Sequence, residues 1–299
     1  MGLTLCSCTE SSEEINSNAD LNNAILNNAN LKKPSTDSPS ASSPRSVSSQ
    51  AISEPVPDAD HCVQNQQAYI VYDQFDADPS KVAEHYNAYA QKYDSMHDKA
   101  GFNDPYWLTK VAIEHLGQPS QPLSHSTCRL MDFGCGTGRL GVELKKAGYA
   151  NISGVDGSTE MISVAHSKGC YQAEQIWPLL VGLDALPAEI VYDVSQPGSG
   201  FDAILASATM LPGHFPNTCY SEMLKVLRPG GHLLFSIRDD MMDPATDEGC
   251  NFVGKLEELV AAGEMSFVDS VSYAKYRGLD LGPCMSETPA SVKIYKKKE

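Results

Sequence analysis

The sequence predicts an α/β fold, doubly wound around a mostly parallel sheet and closed by an antiparallel C-terminal hairpin. Three observations predict it. From residue 129 onward, short apolar runs alternate with helical runs. A glycine-rich turn, Gly134-Cys135-Gly136-Thr137-Gly138, joins the first apolar run to a helix. Near the C-terminus two strand-like segments follow one another with no helical pattern between them. Alternating strands and helices wind a parallel sheet that takes ligands at its carboxyl edge, whereas strands joined without a crossover pair antiparallel.

Asp78-Pro79 reads as a helix cap followed by proline at the first helical position. Val82, Tyr86, Tyr89, Ala90 and Tyr93 then recur at helical spacing and give the helix an apolar, aromatic face. Asp104-Pro105 repeats the signal and opens a second helix through Leu116, which Gly117 ends. The first strand is Arg129 to Phe133, short and apolar as a buried parallel strand should be. A helix over Leu140 to Ala147, a strand over Ile152 to Val155 and a helix from Ser158 to about Ser167 follow. Cys170 to Glu189 reads as an irregular insertion, and the third strand is expected near Ile190 to Val194. A fourth strand spans Phe201 to Ala206, a helix Thr218 to Leu227, a turn Pro229-Gly230-Gly231 and a fifth strand His232 to Ile237. Phe252 to Ala262 is helical, and Met265 to Lys275 with Ser291 to Lys297 form the closing hairpin.

The chain has 299 residues, enough for at most two ordinary domains. Residues 1–78 are expected to be a disordered, acidic tail rich in Ser, Pro and Asn, and 79–299 the folded domain. Nine of the nineteen residues from Ser35 to Ser53 are serine, with prolines at 34, 39 and 44 in and beside them. Such a composition buries too little surface to offset the entropy of ordering. A threefold five-residue repeat, Ala19 to Lys33, is too short to stack into a solenoid. Met1-Gly2 with Cys6 and Cys8 resembles a dual-acylation start, which would add a weak membrane association; Cys6 stands where Ser or Thr is usual. One myristoyl chain anchors only marginally, so a cysteine would have to carry the second. The bland alternative is an unmodified start.

The net charge is -16, from 38 acidic and 22 basic side chains. Nucleic acid is therefore not expected as a partner, since phosphate binding rests on clustered cations. No run of about 18 apolar residues offers a transmembrane segment. Met1 to Glu10 lacks the basic start and apolar stretch of a secretory signal, so a cytoplasmic location is expected. The nine cysteines show no metal-type spacing, and no metal is expected.

The glycine turn lets backbone approach a ligand at a helix N-terminus. Asp132 stands two residues before it, and Asp156 ends the next strand, where an acid can accept from both hydroxyls of a ribose. Met131 to Gly138, Gly154-Val155-Asp156-Gly157-Ser158 and Leu227-Arg228-Pro229-Gly230-Gly231 resemble, in order and spacing, the motifs of class I S-adenosylmethionine-dependent methyltransferases. The resemblance covers about residues 80–297. It implies a seven-stranded Rossmann-like sheet and S-adenosyl-L-methionine as cofactor. It further implies that the backbone of Gly134, Cys135, Gly136 and Gly138 faces the methionine part with Asp132 near its ammonium, and that Asp156, beside Gly157, holds the ribose. Val155 and Met161 would flank the adenine, their alternative being core packing. Asp193, next to Val194 at the end of the third strand, would accept from the adenine amino group, with Asp184 as its rival. Tyr86 to Asp94 resembles the opening helix of many such enzymes, which makes Tyr86 and Tyr93 lid residues over the cofactor.

Loops after the fourth and fifth strands nominate Ser207, His214, Arg238 and Asp239 for the acceptor pocket. His214 could act as general base, or be a merely solvated loop histidine. Ala206-Ser207-Ala208-Thr209 replaces the Asn/Asp-Pro-Pro-Tyr/Phe signature of amide and adenine-amino methylation, which speaks against those acceptors. The expected function is methyl transfer to a small molecule or a protein side chain. Its rivals are a cofactor-binding regulatory module without turnover and a nicotinamide-dependent reductase, the latter disfavoured by Arg139 at the last glycine position.

Overall fold

The computed structural model describes residues 78–116, 127–172, 175–182, 184–247, 249–274 and 289–299. The N-terminal tail with its repeat and acylation-like start, and the Gly117 stop, lie outside these residues.

Asp78 caps α1 (Pro79–Ala100), its Oδ1 accepting from the Ser80 amide at 2.9 Å, and Gly101 closes it in the left-handed region at φ 74°. α2 (Asp104–Leu116) follows. The winding then runs β1 (Arg129–Phe133), α3 (Arg139–Lys146), β2 (Asn151–Asp156), α4 (Thr159–Lys168), β3 (Ile176–Pro178), β4 (Phe201–Ala206), α5 (Cys219–Val226) and β5 (Leu227–Arg238). A 3-10 turn at Asp239–Met242, α6 (Phe252–Ala261), β6 (Met265–Ala274) and β7 (Pro289–Lys297) complete it.

The strands form one seven-stranded sheet in the order β3-β2-β1-β4-β5-β7-β6. The first five run parallel to one another, and β7 is antiparallel to both β5 and β6. The expected hairpin thus has β7 inserted beside β5, with β6 at the sheet edge. Alternation along the strands divides the core between the two faces. Met131, Phe133, Ile204, Leu233 and Phe235 pack with α5 and α6 residues such as Tyr220 and Phe252. Leu130, Leu205 and Leu234 pack with Leu108, Leu140, Leu144 and Ala165 of α2, α3 and α4.

Two expectations need correction. Ile190 to Val194 is not a strand; it is a sequence of turns in which Ile190 is fully buried while the Tyr192 amide donates to the Lys225 carbonyl at 2.9 Å. The third strand lies inside the supposed insertion, where Ile176, Trp177 and Pro178 pair with Gly154, Val155 and Asp156. The turn at 229–231 is instead a bulge within β5: pairing with β4 breaks between Phe201↔Leu227 and Ala203↔His232, and Gly230 takes φ 70°.

Candidate functional site

The carboxyl ends of β1, β2 and β4 open on a cleft. Its floor is the glycine loop. The Gly134 and Cys135 amides both donate to the Val155 carbonyl at 2.9 Å, which ties the loop to β2. The Gly136 amide donates to Asp156 Oδ2 at 2.7 Å and the Ser158 amide to Oδ1 at 2.8 Å. Each carboxylate oxygen keeps a second lone pair, so the group is fixed in orientation and can still accept. Burial raises the Asp156 pKa, partly offset by the two amides.

Gly134 and Gly136 are in the left-handed region, at φ 85° and 50°. A Cβ on Gly134 would stand 2.5 Å from Thr209 Cγ2, whereas one on Gly136 would meet nothing within 4 Å. The Gly136 face is open space, a cradle for a group lying on bare backbone.

Next to the cleft is a smaller hollow, sharing Tyr93, Gly134, Gly136 and Ser207 with it. Asp132 and Cys135 line this hollow. Asp132 is 1% exposed; its Oδ2 accepts from the Tyr171 hydroxyl at 2.6 Å, and its Oδ1 is buried with no hydrogen-bond partner. Burial pushes its pKa up to about 7, against the Tyr171 hydrogen bond and with help from the nearby Asp156 charge. The Tyr171 ring in turn fills the space above two glycines: a Cβ would lie 2.5 Å from it at Gly141 and 3.0 Å at Gly138.

α1 is tied across this floor. Asp94 accepts from the Thr137 hydroxyl at 2.6 Å and pairs with Lys168 and with Arg139, while Arg139 also reaches Asp98 at 2.7 Å. Burial pushes the Asp94 pKa up, but hydrogen bonds from Lys168 and Thr137 win and hold it below the usual carboxylate value. Asn87 Oδ1 accepts from the Ser158 hydroxyl at 2.7 Å and the Glu160 amide at 3.1 Å. This places Tyr86 and Tyr93 at the cleft.

On the opposite wall, after β4, Ser207, Ala208 and Thr209 line the cleft, with Ala208 in the left-handed region at φ 54°. Ser207 Oγ and Thr209 Oγ1 are buried without a hydrogen-bond partner. His214 Nδ1 lies 3.1 Å from the Pro212 carbonyl, and its Nε2 lies 2.6 Å from the Tyr86 hydroxyl. Because a carbonyl only accepts, Nδ1 carries the proton and Nε2 accepts from Tyr86.

The structure therefore brings together Tyr86, Tyr93, Gly134, Gly136, Asp156, Gly157, Met161, Ser207 and His214, with Asp132 and Cys135 in the adjoining hollow. Gly138 caps α3 in the left-handed region beneath Tyr171. Val155 is a fully buried core residue rather than a cleft wall.

Asp193, Val194, Arg238 and Asp239 line neither the cleft nor the hollow. Without a strand at 190–194, nothing aims Asp193 at the cleft; the Asp193 carboxylate is bound instead by the Ser195 amide and hydroxyl and by Gln196, and Val194 is 86% exposed. Its rival Asp184 is also exposed, but accepts from the amide of cleft-lining Leu180 at 2.7 Å. Arg238 pairs with Asp240, and Asp239 accepts from the Ser291 hydroxyl of β7 at 2.6 Å. β5 continues through Arg238 in register with β7, and Asp239 just beyond it is held to β7 by Ser291.

Leu179, Leu180, Val181, Thr209 and Phe215 line the cleft without having been anticipated. The first three directly follow β3, so reading Ile176-Trp177-Pro178 as the strand would have found them. Among the described residues no cluster of His, Cys, Asp and Glu could hold a metal ion, and no helix is long and apolar enough to cross a membrane.

Residues 124–266 match a protein family described as a methyltransferase domain. The chain is 32% identical to human methyltransferase-like protein 27 over 133 residues, which cover 44% of this chain and 49% of that protein. It is 32% identical to malonyl-[acyl-carrier protein] O-methyltransferase of Hahella chejuensis over 160 residues, 53% of this chain and 50% of that one. The match thus spans about half the length of each of these curated relatives. A solved Thermotoga maritima structure described as an S-adenosylmethionine-dependent methyltransferase, possible histamine N-methyltransferase, is 19% identical, covers 73% of this chain and 99% of its own, and superposes with a TM-score of 0.44.

Proposed function

We propose that this chain, whose residues 124–266 match a methyltransferase domain, is a class I S-adenosylmethionine-dependent methyltransferase that transfers a methyl group from S-adenosylmethionine to a small-molecule or protein acceptor held in the cleft. One observation carries the reading: the Asp156 carboxylate, oriented by the Gly136 and Ser158 amides, stands beside the bare face of Gly136 and the unpartnered Asp132 Oδ1. These groups fit the cofactor. Asp156 would accept from the ribose hydroxyls, Asp132 Oδ1 from the ammonium, and Met161 with Leu180 would flank the adenine. Asp184 shapes the Leu180 backbone, and is the better placed of the two acids for the adenine end.

When bound, the cofactor supplies an electrophilic methyl on a sulfonium that is already a good leaving group. The residues of this chain then need mainly to orient the acceptor and exclude water. α1, tied down through Asp94 and Asn87, covers the cleft and places Tyr86 and Tyr93 over it. His214, with its Nδ1 proton held by Pro212, can take a proton at Nε2.

Calorimetric titration of the full chain with S-adenosylhomocysteine and with nicotinamide dinucleotides tests the reading. S-adenosylhomocysteine should bind and the dinucleotides should not. Dinucleotide binding without S-adenosylhomocysteine binding would overturn it.

A further inference from the structure

The far wall of the cleft carries chemistry of its own. Its polar groups are four: the Ser207 and Thr209 hydroxyls, the Tyr86 phenol and the His214 imidazole. Among the described lining residues there is no lysine or arginine, and the one carboxylate is Asp156, whose two oxygens are oriented by the Gly136 and Ser158 amides on the opposite side. The rest of the lining is largely apolar, from Val82, Leu180, Val181 and Phe215.

An acceptor entering this wall leaves water. Among the described residues, a protonated amine would lose its hydration with no carboxylate on this wall to receive it, and a carboxylate or phosphate would find no lysine or arginine. A neutral group that both donates and accepts meets no such penalty. It would also satisfy the buried Ser207 Oγ and Thr209 Oγ1, which have no partner within the protein.

We propose that the acceptor is a neutral hydroxyl, a phenol or alcohol on an apolar body, and that Tyr86 and His214 relay its proton; this rests on the methyltransferase reading above. The Tyr86 hydroxyl already donates to His214 Nε2 at 2.6 Å, so one hydroxyl-to-imidazole transfer is aligned in the protein. In the reaction the acceptor oxygen bonds to the cofactor's methyl carbon, whose bond to sulfur breaks with the pair left on sulfur. The acceptor proton passes to Tyr86 Oη as the Tyr86 proton passes to His214 Nε2. The imidazolium keeps its Nδ1 proton on the Pro212 carbonyl and returns the other to solvent. Tyr86 is thereby a catalytic residue as well as a covering one.

The test uses the full chain saturated with S-adenosylhomocysteine and needs no turnover. Three probes of one size are titrated at a pH where free 4-nitrophenol is neutral: 4-nitrophenol, 4-nitrobenzylamine and 4-nitrobenzoate. 4-Nitrophenol should bind at least about tenfold more tightly than the charged probes and develop the nitrophenolate absorption band on binding. His214→Asn should still bind S-adenosylhomocysteine, yet lose the band about tenfold, and Tyr86→Phe, which cuts the relay at its first step, should lose it at least as far. No preference for the phenol, preference for a charged probe, or a band of equal strength in His214→Asn would overturn the proposal while leaving the methyltransferase reading intact. Failure of the wild type to bind S-adenosylhomocysteine would instead remove both.

Discussion

At the glycine loop, the groups that face the cleft are backbone amides and a carboxylate fixed by them. Gly134 and Cys135 bond to Val155 and Gly136 to Asp156 across the β1–β2 edge, and Ser158 bonds to Asp156 from the turn that follows β2. On the wall after β4 the facing groups are side chains from separate places: Ser207 and Thr209 around a left-handed Ala208, His214 from the next loop, and Tyr86 from α1, 128 residues away. The first arrangement depends on where the chain can turn, the second on which side chains happen to meet. Backbone sites tolerate few residue types and so fix their own sequence, whereas a wall of side chains is free to change with the acceptor.

The largest expected effect tests the backbone side. Asp156→Ala removes two hydrogen bonds to a carboxylate at ~1.5–3 kcal/mol each, so S-adenosylhomocysteine affinity should fall by about 10²- to 10⁴-fold by calorimetry. A loss below tenfold would mean that this carboxylate is not the ribose acceptor.

Gly134→Ala tests the seam between the two regions. A Cβ there would stand 2.5 Å from Thr209 Cγ2 and 3.0 Å from Phe215, at φ 85°. Overpacking and the left-handed backbone together should cost ~2–4 kcal/mol in denaturant unfolding. A stable variant would show that the wall gives way, and that the two regions are less tightly joined than the contacts indicate.

Asp132→Asn separates stability from binding. The folded-state pKa of about 7 lies well above the ordinary carboxylate value near 3.8, so between the two the native state holds a proton that the unfolded chain releases. The penalty for burying this carboxylate therefore grows as pH rises from about 4 to 7, and is constant above. The Asn variant should gain ~1–3 kcal/mol of stability at pH 8, gain nothing near pH 4, and bind S-adenosylmethionine more weakly. In the wild type the same titration predicts tighter cofactor binding as pH rises through 7, with proton release below it, measurable in buffers of different ionisation enthalpy. Equal stability of the two proteins at pH 8 would show that the carboxylate is not desolvated.

The smallest effect is expected outside the cleft. Asp193→Ala should change S-adenosylhomocysteine affinity by less than about threefold, because its carboxylate serves only its own turn through Ser195 and Gln196. A larger loss would return the adenine contact to Asp193.

The same contrast explains what was legible in the sequence. β1, β2, β4 and the cofactor loop could be read because each pairs an apolar run with a glycine or acid whose place the backbone dictates. β3 could not: it has three residues, ends in Pro178, and among the described residues pairs only with β2. The better-looking run at Ile190 and Val191 owes its apolar character to Ile190, which fills the core from a turn. Arg238 and Asp239 follow the expected strand end, as site residues often do, but the register with β7 carries that strand one residue further, through Arg238. Met161 and Tyr86 were found from the motif around them, while Thr209, Phe215 and Leu180 gave no signal that a short apolar loop does not also give.

Tyr171 illustrates how far the loop's identity reaches. Its ring occupies the space that side chains at Gly138 and Gly141 would need, and its hydroxyl holds the acid beneath the hollow. These three positions must then drift together or not at all. A methyl added at Gly141 is intolerable beside the tyrosine, yet should be accepted once a smaller residue stands at 171, so that the effect of either substitution depends on which came first.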